Sequence, residues 1–427
     1  MKRKKGVLLI IVFILIIAGI LLYLFYRPGL SLPFLGNGSE SPNPDLFPHG
    51  EDQNGTGSTT HNNTENSEMP QEQNNGQLPV LREISHVAVS GAMSVYNPEN
   101  ETTLIRYLER PTGHIFETTT LTSSLARVTN TTIPKVQNVV WDHTGNALIL
   151  QYEAEEGGRS GIVSFYGEVV GATSTTAQTG VQTETTLGGI YLPGNKIIVT
   201  PSPDNTHIFS LEQDSDGSGG VTGVISALNG SERKEVFSSP ISEWQAQWPE
   251  EKTVVLTSNS SGRSLGFSYA LDVSTGKRTP LLTGKVALNV LPNHDVSKIL
   301  YSHYRANEGL FLSIYDKTEA TSIDVPLRTF PEKCAWGKAG TNIIYCGVPT
   351  SPITGTQPDE WYQGNTVFSD AIWSIDATTG AVNMILALEI AAGKGLDVFE
   401  PFVDENDTYL FFTDLNNLHL WSLKIGI

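Results

Sequence analysis

Residues 136–152, VQNVVWDHTGNALILQY, contain a complete two-stranded unit, and the reading of this stretch decides the fold. Two apolar runs flank the turn signal His143-Thr144-Gly145-Asn146, so the chain should run up one strand and down the next. The unit recurs along the chain. Alignment on the residue matching Trp141 gives Tyr96, Trp141, Pro201, Trp248, Leu291, Trp336 and Phe402 as anchors. Their spacings are 45, 60, 47, 43, 45 and 66 residues, and the shorter ones match the period of four-stranded propeller blades. Seven anchors imply seven blades.

Each unit continues through a loop into a third strand, such as 267–273, 310–315 or 372–376, and then often a turn of the type Ser274-Thr-Gly-Lys before a fourth. Residues 384–392 read as a helical turn within this pattern. Alternation with period two is imperfect in the first two strands, as expected where neighbouring blades cover both faces. The last unit ends at Ile427 after three strands. Residues 81–86, a spare strand before the first unit, are expected to pair with the last blade and close the ring, removing the exposed edges of an open sheet. The expected fold class is all-β: a seven-bladed β-propeller of four-stranded blades over residues 80–427, preceded by one N-terminal transmembrane helix and a disordered linker.

The N-terminus supports that last element. Met1-Lys-Arg-Lys-Lys precedes Gly6–Tyr26, a run without a charged residue and long enough to cross a hydrocarbon core of roughly 30 Å. A cleavable signal peptide competes, but the run exceeds the usual apolar region and no small-residue cleavage site follows. Basic residues before the run place the N-terminus in the cytoplasm and all that follows outside, so residues 1–27 are read as cytoplasmic stub and signal anchor in the cell membrane. Residues 28–79 are rich in Asn, Gly, Ser, Pro and acids and poor in apolar groups, which predicts a disordered tether with a root-mean-square span on the order of 40 Å. Asn-x-Ser/Thr sequons such as Asn54 and Asn229 signify glycosylation only in a host with that machinery.

Acidic residues outnumber basic ones 45 to 27. Residues 1–27 hold five of the basic residues and no acid, leaving the remainder with a net charge of −23. Such a body repels phosphate backbones, so nucleic acid is not an expected partner. The sequence has no HExxH, P-loop or helix-opening GxGxxG, and its nine His residues show no metal spacing, so no cofactor and no metal are expected. A glycosidase-type carboxylate pair at the channel stays open as an alternative.

Two stretches are candidate ligand sites. The longest insertion, residues 348–370, places Asp359, Trp361, Tyr362 and Gln363 together, and aromatics flanked by hydrogen-bonding groups suit a glycan or peptide. The competing and commoner fate is that the loop folds back and its rings pack over the channel. In the hairpin RYLERPTGHIFE, Arg106, Arg110 and His114 lie with Glu109 and Glu117 about the turn Pro111-Thr112-Gly113. Arg106 and Arg110 share a face, which fits an Arg–carboxylate network between blades better than an anion site. Asp214-Ser-Asp216-Gly resembles half a calcium loop, yet lacks the later ligands. Cys334 and Cys346 flank a turn near Gly340 at positions that oppose each other on adjacent antiparallel strands. Outside the cell the pair would be oxidised; in a reducing compartment it would be two buried thiols.

The units WDHTGNALIL, PSPDNTHIFSL and VDENDTYLFF resemble the WSPDG-type repeats of TolB-like and WD40-like (PD40) propellers, most closely at Pro203-Asp204. The segments RYLERPTGHI, KCAWGKAGTNIIYC and PDEWYQGNTVFSDAIWSID resemble a family of single-pass, membrane-anchored propeller proteins from candidate-phylum bacteria. That resemblance spans nearly all of residues 80–427 and implies a fold and a location but no activity, so it assigns no functional residue. TolB is periplasmic and binds proteins; here an anchor and tether stand where TolB has its N-terminal domain. The resulting expectation is a displayed binding or scaffolding module for a protein or glycan of the cell envelope, the alternative being an envelope hydrolase or lyase acting on polysaccharide or peptide at the ring mouth.

Overall fold

The computed structural model of the chain describes residues 78–156, 159–172, 184–215, 217–306, 308–338 and 340–426. The anchor and nearly all of the tether expected from sequence lie outside the described residues. Among the described residues, no helix is long and apolar enough to cross a membrane.

The repeated hairpin forms because its turn is held by a carboxylate. Asp142 accepts hydrogen bonds from the Ala147 amide (2.9 Å) and the Thr144 hydroxyl (2.6 Å), and Gly145 takes the positive φ of 72° that the reversal needs. Asp404 does the same in the last unit, accepting from the Thr408 and Tyr409 amides at 2.7 and 2.9 Å. Such turns join antiparallel strands into six sheets. The first holds Val89–Asn97, Thr102–Glu109, Ile115–Thr119 and Ala126–Arg127. The second holds Val136–Trp141, Ala147–Glu156, Arg159–Ala172 and Glu184–Leu192, and the third Lys196–Pro201, His207–Gln213, Val221–Ala227 and Lys234–Ser239.

The fourth sheet has seven strands: Trp244–Glu250, Thr253–Ser258, Leu265–Asp272, Arg278–Pro292, Lys298–Arg305, Gly309–Asp316 and Thr321–Val325. Sequence reading treated this region as two separate blades. The strand Arg278–Pro292 instead runs through both, pairing along residues 278–286 with Leu265–Asp272 and along 286–292 with Lys298–Arg305. It changes partner where Ala287 adopts a φ of 54° and donates its amide to the Ser261 carbonyl at 3.0 Å. The fifth sheet holds Cys334–Trp336, Ile343–Pro349, Asp370–Asp376 and Val382–Ala387. A short helix, Leu388–Ala392, takes up the second half of the stretch read as a helical turn.

Val398–Val403, Tyr409–Asp414 and His419–Lys424 form the sixth sheet, and its outer strand is Leu81–Glu83 from the opposite end of the described chain. Leu81 faces Leu423, Arg82 faces Ser422 and Glu83 faces Trp421. Apolar side chains fill the space between successive sheets. Leu108 and Ile133 pack on Trp141 and Leu150, Val140 packs with Val199, and Phe209 packs with Trp244 and Trp248. Leu312 packs with Trp336, Ala335 with Val403, and finally Ile105 and Tyr107 of the first sheet with Phe411 and Leu420 of the sixth. The last sheet thus packs on the first. Anchor residues Trp141, Trp248 and Trp336 are all buried in these seams, which explains their recurrence.

Deleting Leu81–Glu83 removes a paired strand and bares the edge of His419–Lys424, a template for association. The expected result is a lower melting temperature and concentration-dependent oligomers in light scattering; a stable monomeric truncation would show that the closure is dispensable.

Candidate functional site

The first strands of five sheets, and the shared strand Arg278–Pro292 of the fourth, are bulged. Register shifts lie between Val89 and Gly91, Val136 and Asn138, Lys196 and Ile198, Gln247 and Glu250, Val286 and Asn289, and Phe399 and Phe402. A bulge breaks the in–out alternation and re-aims side chains. In Val398–Val403 the residues Glu400 and Pro401 both fall within the shift, and Glu400 takes a φ of 46°, a left-handed conformation that costs a non-glycine residue energy.

Residues of the third to sixth sheets and of the long insertion line a cavity of about 550 Å³. Its polar wall comprises Gln245, Gln247, Asn289, Glu332, Tyr362 and Glu400, while Phe399 and two prolines supply apolar surface. Glu332 stands on a single 3-10 turn, Pro331–Lys333, that leads into Cys334–Trp336. One carboxylate oxygen, Oε1, accepts from the Tyr362 hydroxyl and from Asn289 Nδ2, and the same Asn289 amide lies 3.1 Å from the Tyr362 oxygen. The other, Oε2, is sealed from solvent without a hydrogen-bond partner among the described residues. Burial pushes the Glu332 carboxyl up to about 7; the Tyr362 hydrogen bond opposes this and the nearby Glu400 charge adds to it. Burial likewise raises Glu400. The Tyr362 phenol is raised by burial and then by the charge of Glu332.

The next residue faces the other way. Lys333 is fully buried, with its ammonium 2.6 Å from Asp370 Oδ2, bonded also to Asp397 Oδ1, and 3.2 Å from the Val398 carbonyl. Asp397 Oδ2 accepts from Trp361 Nε1 (3.1 Å) and the Phe368 amide (2.9 Å), and Asp370 Oδ2 from the Val398 amide (2.7 Å). Burial lifts Asp370 to about 6 despite the adjacent Lys333 charge. One buried cation thereby pins the long insertion to the fifth and sixth sheets.

That insertion contains a short helix, Asp359–Tyr362. Trp361, expected as a contact residue, is 1 % exposed, stacked on Phe330 at 5.3 Å with Lys333 Nζ 5.0 Å from its ring. It is a packing residue because its ring completes an aromatic cluster around the buried cation. Asp359 is also engaged structurally: the Gly262 amide (2.7 Å) and Ser261 hydroxyl (2.8 Å) bind it, and those bonds outweigh the upward pull of burial to leave its pKa lowered. Gln363 is exposed beside them. Tyr362, 45 % exposed, is the residue of this group that reaches the cavity.

The second candidate group is spread over separate contacts. Arg106 is bonded to Glu117 (Nη2–Oε2 2.9 Å) and to the Gly145 carbonyl of the next sheet (2.8 Å), an inter-sheet tie. His114 meets the Thr132 hydroxyl at 3.1 Å, and burial, then the Arg127 charge, lowers its pKa. Arg110 lies at the turn, its amide donating to the Ala88 carbonyl at 2.8 Å. No contact gathers Arg106, Arg110 and His114 among the described residues. Asp214 accepts from the Thr222 hydroxyl (3.0 Å) in a turn, and no cluster of three metal-ligating side chains occurs among the described residues. Cys334, which lines the cavity, is disulfide-bonded to Cys346 directly across the strand pair.

Sequence reading missed Gln245, Gln247, Asn289, Glu332 and Glu400. All five precede an anchor residue by no more than a few positions, so a polar residue entering the innermost strand of a repeat was the available signal.

Two outcomes follow from the charges. Between the ordinary Glu value of 4.5 and about 7, native Glu332 binds more proton than the unfolded chain does, so its contribution to stability falls as pH rises through that window. Glu332→Gln should flatten the melting-temperature profile between about pH 5 and 7 relative to wild type; parallel profiles would contradict the assignment. Lys333→Met leaves two buried carboxylates without their cation and should cost about 3–5 kcal/mol in denaturant unfolding, against little change if the network were dispensable.

No protein-family model matches the chain, and no curated protein matches it. Among solved structures, the β-propeller domain of the Trilobed protease from Pyrococcus furiosus is 13 % identical with a TM-score of 0.48, over 79 % of this chain and 95 % of that one. Oligogalacturonate lyase from Vibrio parahaemolyticus is 8 % identical with a TM-score of 0.44, over 80 % and 98 %. TolB from Acinetobacter baumannii is 14 % identical with a TM-score of 0.39, over 69 % of this chain and 62 % of that one, so less than two thirds of TolB is spanned. The described chain is an all-β protein of antiparallel sheets in which the last packs on the first, and a β-propeller domain is among the solved structures it is similar to.

Proposed function

We propose that this chain is a seven-bladed propeller displayed outside a membrane, with residues 1–27 as stub and anchor, 28–79 as tether and 80–427 as ectodomain, and that it binds a protein or glycan of the cell envelope at its central cavity. Seven anchors support the blade count, with the shared strand Arg278–Pro292 serving as the outermost strand of one blade and the innermost of the next. The observation that carries the binding role is the cavity itself: about 550 Å³, walled by amides, carboxyls, a phenol and apolar rings from several sheets. A second reading, hydrolysis or elimination on an envelope polymer, draws on Glu332 and Glu400 sharing that wall, since a carboxyl held near neutrality suits a general acid.

Capture from native envelope with the full chain tests the first reading. A Gln247→Trp variant, which fills the cavity, should recover at least tenfold less of the specific partner at an unchanged melting temperature; equal recovery would place the contact elsewhere. Turnover of envelope polysaccharide or peptide abolished by Glu332→Gln would instead favour the enzyme. Protease added to intact cells should digest residues 80–427, and full protection would refute the outward orientation.

A further inference from the structure

We infer that Lys333 and Asp370 condense into an amide, a covalent cross-link from Nζ to Cγ that releases one water and ties the turn before the fifth sheet to the third strand of that sheet. The cross-link goes beyond the proposed binding role and does not rest on it.

The three groups that such a condensation needs share one sealed pocket. Lys333 supplies the nucleophile, Asp370 the carboxyl to be attacked and Asp397 a second carboxyl to carry protons, and all three side chains are fully buried. Nζ lies 2.6 Å from Asp370 Oδ2, is bonded to Asp397 Oδ1 and stands 3.2 Å from the Val398 carbonyl. The acids are 37 and 64 residues away from the lysine in sequence, so the fold itself sets the amine against the carboxyl. Groups held in this way react at an effective concentration of about 10⁵ M or more. Bulk water, which would favour hydrolysis, is kept out by aromatic rings: Trp361 and Phe368 lie 5.0 and 5.2 Å from Nζ, and Phe330 stacks on Trp361.

The hydrogen bonds of Asp370 mark which of its oxygens stays. Oδ2 accepts from the Val398 amide at 2.7 Å, a donor that steadies the charge gathering on this oxygen as nitrogen adds. Oδ1 is sealed from solvent and has no hydrogen-bond partner among the described residues. Kept in a carboxylate it is a costly buried acceptor; leaving as water, it needs no partner. Burial lifts Asp370 to about 6, so near neutral pH a share of it holds the proton that opens its carbon to attack.

Atoms and protons balance in the condensation. Asp397 takes one proton from the ammonium and frees the nitrogen lone pair. That pair forms the C–N bond to Cγ of protonated Asp370, the C–Oδ1 bond breaks, and Oδ1 leaves as water with its own proton and the one that Asp397 held. Asp397 then takes a second proton from nitrogen and returns it to solvent in place of the one that Asp370 had drawn. The amide N–H that remains donates to Asp397, which keeps its Trp361 and Phe368 donors.

A second buried pair lacks these features. Lys196 is fully buried 2.6 Å from Glu212 Oε1, but Arg233 holds both Glu212 oxygens at 2.9 and 2.8 Å. Against the upward pull of burial, the Arg233 and Lys196 hydrogen bonds leave the Glu212 carboxyl lowered, and it stays an ion pair.

The test is the intact mass of the full chain, purified in detergent, reduced at Cys334–Cys346 and unfolded. Wild type is expected one water lighter than its sequence, and trypsin is expected to spare the bond after Lys333 and to leave one branched peptide joining Lys333 to Asp370. Lys333→Arg and Asp397→Asn should show their full sequence masses, while Glu212→Gln should keep the loss. The wild-type measurement decides even where a variant fails to fold. Wild type at full mass, a water lost from Lys333→Arg as well, or a branch joining Lys196 to Glu212 in place of Lys333 to Asp370 would overturn the inference. A branch that still forms in Asp397→Asn would overturn the proton-carrying role of Asp397.

Discussion

Three residues hold the two ends of the described chain together. Without Leu81–Glu83 on Trp421–Leu423, the sixth sheet would have three strands and an unpaired edge, and the seam in which Ile105 and Tyr107 meet Phe411 and Leu420 would lose its support. The closing strand is tied on both sides of that seam. Arg82 donates to the Thr122 and Thr119 carbonyls of the first sheet at 2.6 and 3.1 Å, and Glu83 lies 2.6 Å from the His419 ring on the strand it pairs with. A closed arrangement of sheets gives apolar faces a neighbour, and it brings side chains of distant sequence from the third to sixth sheets to one cavity.

At that centre, charge is sorted residue by residue. Glu332 and Lys333 are consecutive on one short turn yet meet opposite surroundings: the acid faces an open cavity and the base a sealed pocket with two acids of its own. With Lys333 sealed away, the cavity lining holds two acids and no basic residue. The same pocket fixes Trp361 through Asp397, so the insertion that carries Tyr362 to the cavity is held by the cation that the cavity does without.

Much of the fold was legible because large apolar anchors at a regular period, Asp- and Gly-marked turns, and a spare strand at one end are all local signals. Trp141, Trp248 and Trp336 fall in inter-sheet seams, and Asp142 and Asp404 hold the turns that their sequence positions suggest. The join within the seven-stranded sheet was not legible, since nothing between Arg278 and Pro292 announces that one strand serves two partners. The cavity was read only through Tyr362. Its other groups owe their direction to bulges, which pattern analysis treats as noise, and the buried triad unites Lys333 with acids 37 and 64 residues away. Trp361 was a candidate contact residue with packing as its commoner fate, and the Phe330 ring is stacked against it.

The closing strand also has a mechanical consequence. Leu81–Glu83 is the first strand of the described chain, so a tug from its N-terminal side falls first on the strand that completes the sixth sheet. Three ladder residues, the Arg82 bonds and the Glu83–His419 contact are the first to carry the load. Under such a pull this three-residue latch would part before the longer strand pairs do, which makes it a natural fuse of the described fold.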